Sequence, residues 1–459
     1  MQTIQSESKL CWLLVIALWS LALLPWLLGH GIFVDGLYYG TMSRNWYFEG
    51  ENFWDFKLSK TVLNQFSSHP PLAFWMQAAL FGLLGDYWWV DRFYSLLLWG
   101  STALGIVFIW KIYFKHNAWL PLFIWLLFPT VSWSYSNNIL ENTMALFTTW
   151  AVFFILKSQH SKNLEFLFLA IAGLFVFAAF MSKGPVGLFP LGLPFILLIW
   201  DRSFKLMFLA LMPILTAVAA FLLLIFSNEN ALEFFQLYWG IQLEGSFKIG
   251  PEDSNHFVII IRLLIETSPL IGLYLLMRWR RKAKSPVFNK EVGLFLLLAS
   301  SASLPMLISP KQMGFYLFPS FPFWAIGFAL LFKPLLETIR IKTTKFAFLL
   351  PLLMFFTALT WMLFNNNSAV RDRLLIEDIR KMCQLIPLGS EIGNDPELGE
   401  NWQMHGYFAR YGKLSLHSIG HPAYKFHIAE SKKVHPSIGC RVLFKGLSGI
   451  GLYECPKPE

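Results

Sequence analysis

Long apolar runs separated by short polar breaks dominate the chain. Leu10–Val34 contains no Asp, Glu, Lys or Arg, and charge-free stretches follow at Phe93–Trp110, Asn117–Leu140, Asn142–Leu156, Phe166–Ser182, Gly184–Trp200 and Leu206–Asn228. Thr267–Met277 comes next, with a more polar lead-in from His256, then Val292–Pro310, Gln312–Phe332 and Phe346–Val370. A bilayer core of about 30 Å takes about 20 apolar helical residues, so the pattern predicts about eleven transmembrane helices. The first run is too long for a signal peptide and lacks a small-residue cleavage site, which makes it a retained anchor. Pro70–Leu84 is apolar but short for a span, and reads as a juxtamembrane or partly inserted helix on the outer face.

After Val370 the pattern changes. Leu374–Ile386 has helical spacing and stops at Pro387, and Leu414–Ile419, Tyr424–Ala429, Cys440–Phe444 and Gly449–Glu454 read as strands between Gly, Pro and Asn turns. The expected organisation is a membrane body over residues 1–370, with a large outer loop at 30–91, followed by a small α/β domain over 371–459. The loop is rich in Trp, Phe and Tyr, residues suited to the headgroup layer.

Composition agrees with this division. The 459 residues are 56% hydrophobic and only 14% charged, which excludes a soluble or disordered chain. The net charge of +9 would suggest nucleic acid in a soluble protein, but in a membrane protein basic residues mark cytoplasmic loops. With the N-terminus inside, the inner loops collect Lys9, Lys111, Lys115, Lys157, Lys162, Arg202, Lys205, the cluster Arg278–Lys290, and Lys333, Arg340, Lys342 and Lys345. Asp35, Glu49, Glu51, Asp55, Asp86, Asp91, Glu141, Glu229, Glu233, Glu244, Glu252 and Asp253 fall outside, and so does the C-terminal domain. The four cysteines have no zinc or redox spacing; Cys440 and Cys455 either pair in an oxidising compartment or stay reduced. P-loop, dinucleotide and HExxH motifs are absent.

Several polar residues stand at the outer ends of the predicted spans. Asp35 follows Gly31-Ile-Phe-Val just beyond the first span, and Ser68-His69-Pro70-Pro71 imposes an extended approach to a helix. Arg92, Glu141, Lys183 and Lys311 lie at other outer span ends, and Arg262 lies just inside a span with Glu266 four residues on. Each also has a structural explanation: an acid capping a helix end, a lysine snorkelling to water, an i,i+4 ion pair. Their convergence on one side of the charge-derived topology favours a site.

Asp35 with Tyr38 and Tyr39, Arg44 in Thr-Met-Ser-Arg, His-Pro-Pro-Leu at 69–72, Phe-Gly-Leu-Leu-Gly at 81–85 and Asp-Arg-Phe-Tyr-Ser at 91–95 occur in an order that resembles the protein O-mannosyltransferase and aminoarabinose (lipid A) transferase superfamily of GT-C glycosyltransferases. The resemblance continues through Asn138-Ile-Leu-Glu141, Met-Ser-Lys183-Gly-Pro-Val-Gly and Lys311-Gln-Met-Gly-Phe-Tyr316, and covers the membrane body from about Leu10 to Leu331. Relatives commonly carry Asp-Glu where this chain has Asp35-Gly36. Bacterial aminoarabinose transferases usually read Lys-Pro-Pro-Leu, whereas His69 matches the protein mannosyltransferases.

The resemblance implies an all-α polytopic membrane enzyme of the bacterial inner membrane. It would move a sugar from a polyprenyl-monophosphate carrier to lipid A or lipopolysaccharide, another envelope glycan, or a protein, with inversion. Asp35 is the candidate base, with Glu141 and His69 completing the catalytic set. Arg92, Lys183, Arg262 and Lys311 are candidates for the donor phosphate, since Arg offers a planar fork and Lys a point charge. Tyr38, Arg44 and Tyr316 are candidate substrate contacts. No cofactor is required; a divalent metal bridging Asp35, Glu141 or His69 is a second reading, weakened by Gly36. A transporter or flippase of lipid-linked saccharide would be expected to show repeated halves and charges near the midplane, and neither is visible. An inactive scaffold of the same fold is the remaining alternative.

Overall fold

The computed structural model describes all residues except 1, 51, 162, 202–203, 245–256, 282–288, 310–311, 338–343, 418–423, 431–438 and 457–459. Apolar runs form long helices, several of which carry a proline inside them: Pro213, Pro269, Pro334 and Pro351. Among the described residues, eight helices are long and apolar enough to cross a membrane: Ser8–Leu27, Val90–Tyr113, Glu165–Lys183, Ala210–Ser227, Val258–Arg280, Lys290–Ile308, Gly314–Leu336 and Phe346–Phe364. A ninth arises if Pro129–Ser136 and Leu140–Ser158 are taken together across their 117° bend.

The sequence pattern counts more runs than this because two of them are interrupted by their own residues. Asn117–Leu140 divides into the helices Trp119–Leu126 and Pro129–Ser136, with Pro129 opening the second and Asn138 at φ 51° closing it. Gly184–Trp200 becomes a 3-10 turn, Pro185–Gly192, followed by the short helix Leu193–Leu197. Its three prolines, Pro185, Pro190 and Pro194, withhold the backbone donors a continuous helix needs. The apolar segment at 70–84 forms the helix Leu72–Leu84, at 13 residues shorter than a span.

The chain gathers into two compact bodies. The first holds residues 1–24, 68–73 and 95–360. Its helices approach closely where small residues permit, as membrane helices do: a Cβ at Gly173 would lie 2.6 Å from the Pro213 carbonyl, and one at Gly105 would lie 2.8 Å from the Thr149 methyl. Glu266, on the helix Val258–Arg280, accepts hydrogen bonds from the Thr130 amide, at 3.3 Å, and hydroxyl. These satisfy donors at the start of the helix Pro129–Ser136, where no earlier turn can.

The second body holds residues 25–67, 74–94 and 361–459. Its five-stranded sheet has the order β2-β1-β3-β5-β4, with β1 at Glu391–Asn394, β2 at Ser415–Leu416, β3 at Phe426–Glu430, β4 at Arg441–Lys445 and β5 at Ile450–Glu454. β1 pairs in parallel with β2 and β3, while β5 pairs antiparallel with both β3 and β4. Cys440 and Cys455 are joined by a disulfide beside β4 and β5.

The core of this body mixes distant parts of the sequence. Ile32 and Leu37 from the outer loop are buried with Ile376, Ile392, Tyr407, Phe408, Ile428 and Leu452 from the tail. The helix Val34–Glu49 lies against Trp402–Gly412, and Gly406 permits that approach: a Cβ there would come 2.9 Å from Tyr38 Cε1. Arg44 is 1% exposed in this body and pairs with Asp86 at 3.2 Å, while Arg410 reaches the same carboxylate at 2.9 Å. Two guanidinium groups hold the Asp86 carboxyl below its ordinary pKa despite its partial burial.

Candidate active site

Three local structures of the first body build a large cavity. The helix Leu140–Ser158 starts just after the bend and places Glu141 in its first turn. The helix Glu165–Lys183 ends on Lys183, because Gly184, at φ +86°, turns the chain and Pro185 cannot continue it. Tyr316 comes from the 3-10 turn Gly314–Ser320. These elements, with His69, line a cavity of about 620 Å³.

Lys183 and Glu141 form an ion pair in this cavity, with side chains 13% and 2% exposed. The Lys183 ammonium also stands 4.4 Å from the centre of the Tyr316 ring, within cation–π range. Burial first, and the neighbouring Lys183 charge second, push the His69 pKa down to about 3, so His69 is neutral at physiological pH and offers hydrogen bonding rather than charge. Much of the remaining lining is apolar, including Met144, Leu188, Phe189, Met306 and Ile308. The cavity thus combines one polar cluster with walls suited to hydrocarbon.

Tyr238 and Gln242 also line it, and neither stood out in the sequence. For Tyr238 a signal existed: Ala231, Phe234, Phe235 and Tyr238 are all buried on Glu229–Tyr238, at spacings that put the tyrosine on the apolar face. Burial raises its phenol pKa, keeping the hydroxyl a neutral donor or acceptor.

The other residues singled out in the sequence have varied settings. Arg262 is exposed on the helix Val258–Arg280, with its stem beside Gly314. Lys311 lies outside the described residues. Asp35 is half-buried in the first turn of Val34–Glu49, in the second body. In that body the Tyr38 hydroxyl donates to the Trp402 carbonyl at 2.8 Å, Arg44 donates to the Ala409 carbonyl at 2.7 Å, and Arg92 donates to the Gly31 carbonyl at 2.6 Å. His69, Glu141, Lys183 and Tyr316 are therefore the predicted residues found together in one cavity.

Among the described residues no three His, Cys, Asp or Glu side chains come together as ligands, and the Glu141 carboxylate is already engaged by Lys183.

Residues 68–228 match the profile of the family described as dolichyl-phosphate-mannose-protein mannosyltransferase. ArnT from Cupriavidus metallidurans, in the structure bound to undecaprenyl phosphate, superposes with a TM-score of 0.68 at 14% identity, over 96% of this chain and 97% of that one. The fold is that of a GT-C glycosyltransferase. The apo form of the same ArnT gives a TM-score of 0.63, also at 14% identity, over 96% and 97% of the two chains. The Archaeoglobus fulgidus oligosaccharyltransferase, in complex with Zn and sulfate, gives 0.51 at 12% identity, over 91% of this chain and 68% of its own. No curated protein sequence matches the chain. The superposition on ArnT runs over 96% of this chain, so it takes in the helical body and most of the tail.

Proposed function

We propose that this chain transfers a sugar from a polyprenyl-monophosphate carrier to an acceptor on the extracytoplasmic face of a bacterial inner membrane. The observation that carries the reading is the cavity of the membrane body, where the buried Lys183–Glu141 pair and Tyr316 meet a largely apolar lining. A lipid phosphate presents the complementary pair of surfaces, an anion on a prenyl chain. The ArnT structure with undecaprenyl phosphate supports this donor class.

In the proposed reaction the acceptor hydroxyl oxygen attacks the anomeric carbon, the bond from that carbon to the phosphate oxygen breaks, and the configuration inverts. Asp35 takes the hydroxyl proton as general base. The carrier leaves as its phosphate anion, with Lys183 as the principal cation and Arg262 and Lys311 as supplementary ones. His69 donates a hydrogen bond within the cavity, and Glu141 holds Lys183 in place. Arg92, which donates to the Gly31 carbonyl, serves here to steady the segment leading to Asp35. The acceptor is lipid A or lipopolysaccharide, another envelope glycan or a protein. The Cys440–Cys455 disulfide supports an oxidising, extracytoplasmic location for the tail.

The donor half is tested by native mass spectrometry of the purified protein in lipid nanodiscs titrated with undecaprenyl phosphate. The wild type is expected to bind it, and the charge-free pair Glu141→Gln/Lys183→Met to bind at least tenfold more weakly. Equal binding by the two proteins would remove Lys183 from the phosphate site.

A further inference from the structure

The buried face of the helix Glu229–Tyr238 ends on a polar atom. Ala231, Phe234 and Phe235 are apolar throughout, and Tyr238 completes the face with a hydroxyl. Its ring stands edge-on to Phe235, with centroids 6.2 Å apart, and the residue lines the cavity that holds Lys183 and Glu141. Beyond it the chain winds into a π-helical turn, Trp239–Glu244, a geometry frequent at functional sites. The phenol tip lies against Gly184: a Cβ there would come 3.1 Å from Tyr238 Cζ and closer still to Oη. Lys183 and Pro185, on either side of that glycine, line the same cavity.

The hydroxyl differs from its polar neighbours in being uncommitted. Lys183 and Glu141 are paired with each other, and the Ser301 hydroxyl, also on the cavity wall, donates to the Leu298 carbonyl at 2.8 Å. Tyr238 Oη makes no hydrogen bond to any described residue, and it is reachable from the cavity rather than sealed in the packing. The residue as a whole is only 3% exposed. A hydroxyl so shielded and left unpartnered is unfavourable in the free protein, and an acceptor brought by a ligand relieves it. Burial raises the phenol pKa, so at physiological pH the group keeps its proton and can donate it to such an acceptor.

A phosphate presents three strong acceptor oxygens, more than one lysine can satisfy while one of its three N–H groups is directed at Glu141. A neutral donor on the wall beside that lysine supplies what is lacking. We propose that the Tyr238 hydroxyl donates a hydrogen bond to a phosphate oxygen of the lipid carrier, sharing the phosphate with Lys183. The inference rests on the lipid-phosphate reading given above and adds to it a residue that selects the phosphorylated carrier. Hydrogen bonds to a charged acceptor are about twice as strong as those between neutral groups, so the hydroxyl favours polyprenyl phosphate over the free polyprenol.

The test is Tyr238→Phe, which removes the oxygen and keeps the ring beside Phe235. Full-length wild type and variant in nanodiscs are titrated with undecaprenyl phosphate and, separately, with undecaprenol, and binding is read by native mass spectrometry. The variant is expected to bind undecaprenyl phosphate about tenfold more weakly, the loss of one charge-assisted hydrogen bond, and to bind undecaprenol within about twofold of wild type. Its thermal unfolding without added lipid is expected to match wild type, because no bond within the protein is lost. A lowered unfolding temperature, unchanged binding of undecaprenyl phosphate, or an equal loss for both lipids each overturns the proposal. The two readings separate in the wild type: no preference for undecaprenyl phosphate over undecaprenol contradicts the lipid-phosphate reading itself. A wild-type preference that Tyr238→Phe retains in full contradicts this inference alone.

Discussion

In the proposed reaction one ion pair, Lys183 and Glu141, is asked to serve both stability and chemistry. Removing one partner of a buried ion pair strands the other charge and typically costs about 3–5 kcal/mol. Lys183→Met alone is therefore expected to destabilise the protein by about that amount, while Glu141→Gln/Lys183→Met recovers most of the loss. Thermal unfolding followed by tryptophan fluorescence in detergent checks this; a double variant as unstable as the single one would show that the pair is not coupled as described. Both residues were legible in the sequence because charges are rare beside apolar runs and stand out there. Tyr238 was not, since a tyrosine on an apolar stripe looks like packing until its neighbours are known. For Arg44 and Tyr38 the sequence exposed the polar groups but not their partners, two backbone carbonyls more than 350 residues away.

Among the elements, the junction at Gly184 shapes the cavity that holds Glu141 and Lys183. Its φ of +86° is strained for any side chain, and a Cβ there would run into the Tyr238 hydroxyl. Gly184→Ala is expected to lower stability by about 1–3 kcal/mol and to weaken undecaprenyl phosphate binding. Thermal unfolding and the nanodisc titration measure the two effects, and a variant matching wild type in both would dissociate the turn from the site. Helix existence was read well from hydrophobic runs, because a span needs only length and apolarity. Continuity was read less well: the prolines at 129, 185, 190 and 194 were visible, but apolarity alone does not distinguish a long helix from a broken one. The outer loop and tail were read as separate regions, yet Ile32 and Leu37 complete the core around Ile376 and Ile392, a pairing set by tertiary packing that no local pattern encodes.

For the molecule as a whole, the +9 net charge is a statement about sidedness. On the proposed topology the loops with the excess of Lys and Arg face inward, with the N-terminus inside and the tail outside. A single cysteine at Arg281→Cys, in a background of Cys11→Ser and Cys383→Ser, is predicted to resist a membrane-impermeant maleimide in intact cells and to react after permeabilisation. Labelling of intact cells would invert the topology and move the proposed donor chemistry to the cytoplasmic face. The disulfide of the tail points the same way as the charges, by independent chemistry.

Sugar transfer itself is the most direct measurement of the central claim. Purified protein reconstituted into liposomes would be given isotope-labelled polyprenyl-phosphate sugars with envelope glycolipid, glycan or protein acceptors. Wild type is expected to move label to an acceptor and release polyprenyl phosphate, and Asp35→Asn to be slowed by about 10²–10⁴-fold, the usual contribution of a general base. Transfer by Asp35→Asn at the wild-type rate would remove Asp35 as the base, and failure of the wild type to transfer label from any such donor, with the fold intact, would contradict the account.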